Sequence, residues 1–292
     1  MSGSEFQLEK YAEEFNSVLR KFIDGINCKP QILADSLKYS LEIGGKRIRP
    51  SMMFAAGDLL GVERAELEPY ALAIELIHTY SLIHDDLPEM DNDDYRRGQP
   101  SNHKVFGVGN AVLAGDGLLN TAYSVLLSQC GKGENHIAAA EFICDSAGIY
   151  GMIAGQSADL LHENEPHTDE DTLGFIYENK TAKMLTAPLV VPSILSGGKY
   201  YSEMKLFGSN FGCLFQLTDD ILDEEGNFSS LGKTVGKDKK EGKCTAVGLF
   251  GLNGAKLRAD VLADKCLKIL EGIDGDTDFF KWLIEFVLSR RS

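Results

Sequence analysis

The chain has 292 residues, 43% apolar and 25% charged, with 29 Lys+Arg against 44 Asp+Glu and a formal net charge of −15. That length is enough to bury a sizeable core, and the mixed patterning excludes wholesale disorder. The acidic balance disfavours nucleic acid, whose phosphates require a basic footprint. The sequence has no uncharged apolar run of about 18 residues, so no membrane span is expected. The opening MSGSEFQLEKYAEEF lacks the basic start and apolar middle of a signal peptide, and Met1 to Phe6 carry no weight in the reading. Six cysteines (Cys28, Cys130, Cys144, Cys213, Cys244 and Cys266) are scattered without a C-x-x-C pair. They read as reduced thiols of a cytoplasmic protein.

In chain order, the first unusual segment is GGKRIRP at 44–50, where Lys46, Arg47 and Arg49 follow a glycine pair as a compact cationic patch. Residues 66–86 then carry apolar side chains at three- and four-residue spacing, which predicts a helix. The same period recurs at 110–130, 136–161, 171–196, 200–223, 244–271 and 278–289. Val190-Val191 lies between Pro188 and Pro192, which suits a kinked helix better than a central strand. Separators at 131–135, 163–170, 224–232 and 272–278 are short enough to join helices. The expected architecture is a single all-α domain over residues 1–292 with roughly ten or more helices.

Two acidic clusters close predicted helices. HDDLPEMDNDDYRRGQPSNH (84–103) holds Asp85, Asp86 and Asp91, and QLTDDILDEEGN (216–227) holds Asp219, Asp220 and Asp223. Carboxylates three and four apart repel one another on a helix face. A cation relieves that repulsion, and oxygen-only ligands select hard ions, Mg²⁺ above all when a phosphate completes the shell. An EF-hand loop from Asp91 fails, because its sixth position is Arg96 and its twelfth Asn102. Each cluster alone has a solvated acidic helix end as its plain alternative. Basic groups accompany both: Arg96-Arg97 follow the first, LGKTVGKDKKEGK (231–243) follows the second, and Lys180-Thr181 lies between. Acid, metal and base together are equipment for holding diphosphates.

These segments, with GNAVLAGDGLL, GQSADL and FGCLFQLTDDILD in the same order, resemble the short-chain trans-polyprenyl diphosphate synthases, most closely the bacterial farnesyl-forming branch. The resemblance runs from about Leu37 to the C-terminus. It implies an isoprenoid synthase-type helical bundle around a deep central cavity, a cytoplasmic homodimer, and condensation of isopentenyl diphosphate with dimethylallyl or geranyl diphosphate. By the same resemblance Asp85, Asp86, Asp91, Asp219, Asp220 and Asp223 hold Mg²⁺, about three ions per site. Arg96, Lys180, Thr181, Gln216 and Lys233 surround the allylic diphosphate, the last four also being the catalytic set. Lys46, Arg49, His78 and Arg97 bind isopentenyl diphosphate. Tyr80 and Ser81, just before the first aspartates, form a floor that limits product length, and an aromatic at Tyr80 matches the farnesyl-forming pattern. Where the family often has glycine after Lys-Thr, this chain has Ala182-Lys183.

The chemistry suits those groups. Breaking the allylic C–O bond leaves a carbocation and an increasingly negative diphosphate; the alkene of isopentenyl diphosphate attacks, and a proton leaves to the departing diphosphate. Three rivals stand beside this reading: a geranyl or geranylgeranyl synthase, a class I terpene cyclase, and a non-catalytic partner subunit. GGKRIRP and DDILD count against the cyclase, and the full set of acidic residues counts against the subunit.

Overall fold

The computed structural model describes residues 3–163, 169–225 and 243–289. The long predicted helix is α4 (Arg64–Asp85), which carries buried side chains on every side: Leu67, Tyr70, Ile74, Leu76 and Ile77 are all inaccessible to solvent. A helix that is apolar all round belongs at a centre, and α4 lies between α3 (Ile48–Leu60) and α6 (Val108–Cys130). Two helices outside the predicted periodic runs precede α3: α1 (Gly3–Gly25) and α2 (Gln31–Glu42). From α1, Tyr11 sets its ring edge-on to Phe54 of α3 and Phe279 near the C-terminus, closing the core across the whole chain.

A small exception to the helices follows α4. Tyr95–Arg96 (β1) and Gln99–Pro100 (β2) pair antiparallel around a two-residue turn, Arg97-Gly98, whose φ angles are 53° and 77°. Both positive, they mark the tight hairpin turn that matches strand twist. Strands this short leave no alternation for a sequence reading to find. The chain then runs through α5 (Asn102–Phe106) into α6.

The predicted helix over 136–161 is two, α7 (Glu134–Ala147) and α8 (Met152–Leu161), separated by a turn at 148–151. By length and composition alone 134–161 is apolar enough to cross a bilayer, but the turn divides it. The run over 171–196 also divides: α9 (Glu170–Ile176), a π-helical turn (Tyr177–Ala182) and α10 (Lys183–Leu195). Helix α10 keeps both Pro188 and Pro192, and every residue from Met184 to Ser193 is buried. The remaining helices among the described residues are α11 (Tyr201–Glu225), α12 (Ala246–Glu271, with a break at Gly251) and α13 (Asp278–Ser289). None of the six cysteines forms a disulfide.

Candidate active site

A cavity of about 960 Å³ opens between α4, α8, the π-helical turn and α11. Lys46, Arg49, His78, Tyr80, Ser81, Asp85 and Arg97 line it from the first half of the chain, and Lys180, Thr181, Gln216 and Asp219 from the second. The two acidic motifs therefore contribute to one wall system, each through its first aspartate.

The loop after α4 brings Asp91 back over Asp85, because the Asp91 amide donates to the Asp85 carbonyl at 2.8 Å. Desolvation, with Asp91 and Asp86 adding to it and Lys180 and Arg96 opposing, pushes the Asp85 carboxyl up to about 6. Asp86 is turned away and buried, where Arg96 donates to both its oxygens. Burial raises the Asp86 carboxyl, and the Arg96 bond pulls against that rise. Arg96 also reaches Asp93 at 3.3 Å, so its guanidinium braces the acidic loop from behind. Asp91 accepts from Lys243 at 2.8 Å.

GGKRIRP separates into two functions. Arg47, held in the left-handed region at φ 49°, points inward. There it meets Glu75 at 2.6 Å and donates to Asn16 and to the Leu41 carbonyl. Lys46 and Arg49 line the cavity beside the paired Arg47, and the Lys46 ammonium lies 5.2 Å from the Phe286 ring centre on α13. Arg49 Nε has no hydrogen-bond partner among the described residues. Burial lowers the Arg49 pKa to about 10. Arg97 donates to the Gly44 carbonyl, which ties the hairpin turn to the glycine pair. His78 is held neutral: burial first, then Arg49 and Arg97, push it well below the usual imidazole range. A pocket of cations with an orphaned guanidinium N–H and a neutral imidazole is built for an anion.

Opposite, the π-helical turn presents Lys180 and Thr181 side by side. Wide turns of this kind cost hydrogen-bond quality and concentrate at functional sites. Lys180 pairs with Asp159 of the GQSADL segment. Burial draws the Lys180 pKa down, but Asp159, Asp85 and Asp91 outweigh it and the net shift is upward. Gly155, in the same segment, is needed because a Cβ there would collide with the Lys180 backbone. Thr181 donates to the Gln216 carbonyl oxygen at 2.7 Å, and Gln216 donates to Asp220 at 3.2 Å. Asp220 is buried and accepts from Tyr177 and from the Ala246 amide, the latter at 2.8 Å. Asp223 is buried and off the cavity wall. Lys233 and Arg290-Arg291 lie outside the described residues.

Tyr80 is 6% exposed and meets His84 edge-on at 5.6 Å, and Ser81 donates to the His78 carbonyl. Asp159, Tyr177, Glu75 and Lys243 were not singled out by sequence. GQSADL and the five-lysine segment were visible as motifs, but only tertiary contact selects Asp159 and Lys243 within them.

Among the described residues, no three His, Cys, Asp or Glu side chains close up into a complete metal cage. Mg²⁺ seldom needs one: it takes one or two carboxylates and leaves the other positions to water and substrate phosphate. The oxygen-only donors Asp85, Asp91 and Asp219, with Asp85 short of solvent, fit that ion.

Comparison with known proteins gives consistent relatives. The polyprenyl synthetase family model matches residues 30–272. The farnesyl diphosphate synthase of Bacillus subtilis is 40% identical over 266 residues, 89% of this chain and 90% of that protein. A chloroplastic geranylgeranyl pyrophosphate synthase of Capsicum annuum is 42% identical over 92% of this chain and 74% of its own length. The structure of a Helicobacter pylori geranyltransferase complexed with magnesium and isoprenyl diphosphate superposes with a TM-score of 0.83 at 30% identity, covering 99% of this chain and 97% of that one.

Proposed function

The chain belongs to the polyprenyl synthetase family and is a trans-prenyltransferase that joins isopentenyl diphosphate to an allylic diphosphate; we propose that farnesyl diphosphate is its main product and that the residues around the central cavity carry the reaction as follows. The observation that carries this reading is the single cavity with two sets of polar groups, one around His78 and one beside Asp85.

Lys46, Arg49, His78 and Arg97 bind the diphosphate of the homoallylic substrate. Arg49 supplies an unpartnered N–H, and the neutral His78 supplies one imidazole N–H. Lys180, Thr181 and Gln216 flank the allylic diphosphate, with Lys233 and Arg96 as further cations of that side. Asp85, Asp91 and Asp219 are the side chains that would hold Mg²⁺, about three ions in all by family resemblance, while Asp86, Asp220 and Asp223 stand behind them. When bound, Mg²⁺ neutralises charge on the departing diphosphate. The apolar walls of α4 and Tyr80 exclude water that would quench the cation. No side chain need act as base, because the leaving diphosphate takes the proton.

Tyr80 supports the farnesyl assignment by blocking the cavity below the first aspartates. The Capsicum relative favours a geranylgeranyl product as the second reading. A homodimer fits the outward apolar side chains of α6, such as Leu113 and Leu127, and sedimentation would measure it. Incubation of isopentenyl diphosphate with dimethylallyl or geranyl diphosphate, with and without Mg²⁺, tests the whole. Mg²⁺-dependent farnesyl diphosphate supports it, geranylgeranyl diphosphate removes the Tyr80 floor, and no condensation removes the catalytic reading.

A further inference from the structure

Taking the transfer reaction proposed above as its basis, we infer that Tyr177 is a positioning residue: through Asp220 it fixes the amide of Gln216 so that Thr181 and Gln216 present oxygen lone pairs, not protons, to the cationic carbon of the allylic substrate. Four groups make the chain. Thr181 Oγ1 donates to Gln216 Oε1 at 2.7 Å, Gln216 Nε2 donates to Asp220 Oδ1 at 3.2 Å, and Tyr177 Oη donates to Asp220 Oδ2. The Ala246 amide, in the first turn of α12, donates to the same Oδ2 at 2.8 Å and to Tyr177 Oη at 3.0 Å. Tyr177, Thr181 and Asp220 are all buried, while Thr181 and Gln216 also line the cavity.

The direction of the chain follows from its far end. A carboxylate only accepts, so Gln216 must turn its NH₂ toward Asp220. Its carbonyl oxygen is then the atom left for Thr181, whose single proton is used in that bond. The oxygens of both side chains each keep a further lone pair, and both side chains line the cavity. Reversing the amide would aim N–H and O–H dipoles at a developing positive charge, which a water-poor cavity would penalise heavily. Tyr177 and the Ala246 amide bond Oδ2 while Gln216 bonds Oδ1, so Tyr177 helps fix the rotation of the carboxylate that orients the amide. The π-helical turn makes this possible, because Tyr177 and Thr181 both project from it toward α11. In this arrangement Asp220 serves the dipoles and not the metal.

The test uses Tyr177→Phe and Asp220→Asn in the full-length protein, each keeping side-chain shape. The first readout is affinity, with Mg²⁺ and inorganic diphosphate present, for a tertiary-ammonium analogue of the allylic chain relative to its neutral carbon isostere. Wild type is expected to prefer the ammonium compound by about tenfold or more, and both variants to lose most of that preference. The second is a split of constants. Single-turnover rates should fall by about 10- to 100-fold in each variant, while the Mg²⁺ half-saturation and the KM for isopentenyl diphosphate stay within about threefold. Tyr177→Phe/Asp220→Asn should be no slower than the worse single variant. A raised Mg²⁺ half-saturation in Asp220→Asn, with full rate restored by excess Mg²⁺, would make Asp220 a metal ligand and overturn the inference. Unchanged ammonium preference in Tyr177→Phe would overturn it too. If that variant fails to fold, Asp220→Asn alone decides by the same ratio. Absence of turnover in wild type would instead sink the prenyltransferase reading, leaving the two failures distinct.

Discussion

Lys243 donates to Asp91 at 2.8 Å, with side chains only 12% and 14% exposed. Three residues later the Ala246 amide donates to Asp220, so the stretch 243–246 fastens the two aspartate motifs together. The Lys243 ammonium is a tethered cation on a carboxylate proposed to hold Mg²⁺. Two consequences compete in Lys243→Met: Asp91 loses this ion pair, and a metal meets less competition there. Metal-free Tm should fall by about 2–6 °C, corresponding to about 1–2 kcal/mol for a partly buried pair. Added Mg²⁺ should raise Tm more in Lys243→Met than in wild type. Scanning fluorimetry in EDTA and in Mg²⁺ measures both. Equal Mg²⁺-induced rises would show that the ammonium does not compete.

As a proposed Mg²⁺ ligand, Asp85 would set a pH window for metal binding. Its carboxyl is raised from 3.8 to about 6, with desolvation the largest cause. The sign follows from linkage: a raised folded-state pKa favours the protonated form, so this group's contribution to metal-free stability is present below pH 3.8 and lost as pH climbs through about 6. Bound Mg²⁺ should return that loss at neutral pH, since it replaces the proton. Below about pH 6 the two compete, and Mg²⁺ affinity should fall by up to about tenfold per unit. Urea melts at pH 5 and pH 7.5, each with EDTA or Mg²⁺, should show a metal-induced gain chiefly at the higher pH. Asp85→Asn should flatten the difference, and a gain independent of pH would exclude Asp85 as a ligand.

What the sequence reveals here depends on whether the signal is periodic. Helix α4 and the second acidic end are legible because apolar spacing and repelling carboxylates repeat at the helix period, and the first acidic end because its carboxylates crowd just past that helix. Asp219 and Asp220 are adjacent letters of the same motif, yet one step around α11 sends the first to the cavity and the second to Tyr177. Lys46 and Arg47 both border the cavity, yet only Arg47, whose backbone is left-handed, is enclosed in an ion pair with Glu75, and no composition announces it. The π-helical turn escapes for a related reason: one widened turn inside 171–196 shifts the face without interrupting the apolar pattern. Lys243 is one of five lysines in its segment, and only the contact with Asp91 distinguishes it.

That division within GGKRIRP predicts opposite phenotypes for neighbouring lysine and arginine. Arg47 and Glu75 are 5% and 4% exposed, and removing either leaves a buried charge without its partner. Arg47→Ala should destabilise the protein by about 3–5 kcal/mol. Lys46→Ala should leave the melting temperature within about 2 °C, its charge being on the cavity wall and not in the core. Its effect should be a KM for isopentenyl diphosphate raised about tenfold or more, with the allylic KM nearly constant, as expected when one charge-assisted phosphate contact is lost. Denaturation curves and two-substrate kinetics on the pair of variants separate the roles. A selective rise in allylic KM would reverse the proposed division of the cavity.

Tyr80 carries the prediction of product length. Its ring is 6% exposed, borders the cavity one turn and a little more before Asp85, and is pinned edge-on by His84. In the proposed reading a growing prenyl chain anchored at the aspartates descends along α4, and a fixed aromatic there would stop it sterically. Tyr80→Ala should move most of the product from farnesyl to geranylgeranyl diphosphate. Its stability cost should lie below the about 3–5 kcal/mol of a fully enclosed aromatic, because the ring borders open space. Tyr80→Phe keeps the ring and should keep the farnesyl product, which separates bulk from the hydroxyl. Chromatography of the dephosphorylated alcohols reads both variants. If Tyr80→Ala still stops at farnesyl, the limit on growth comes from elsewhere on the cavity wall, with Leu119 on α6 the next side chain to shorten.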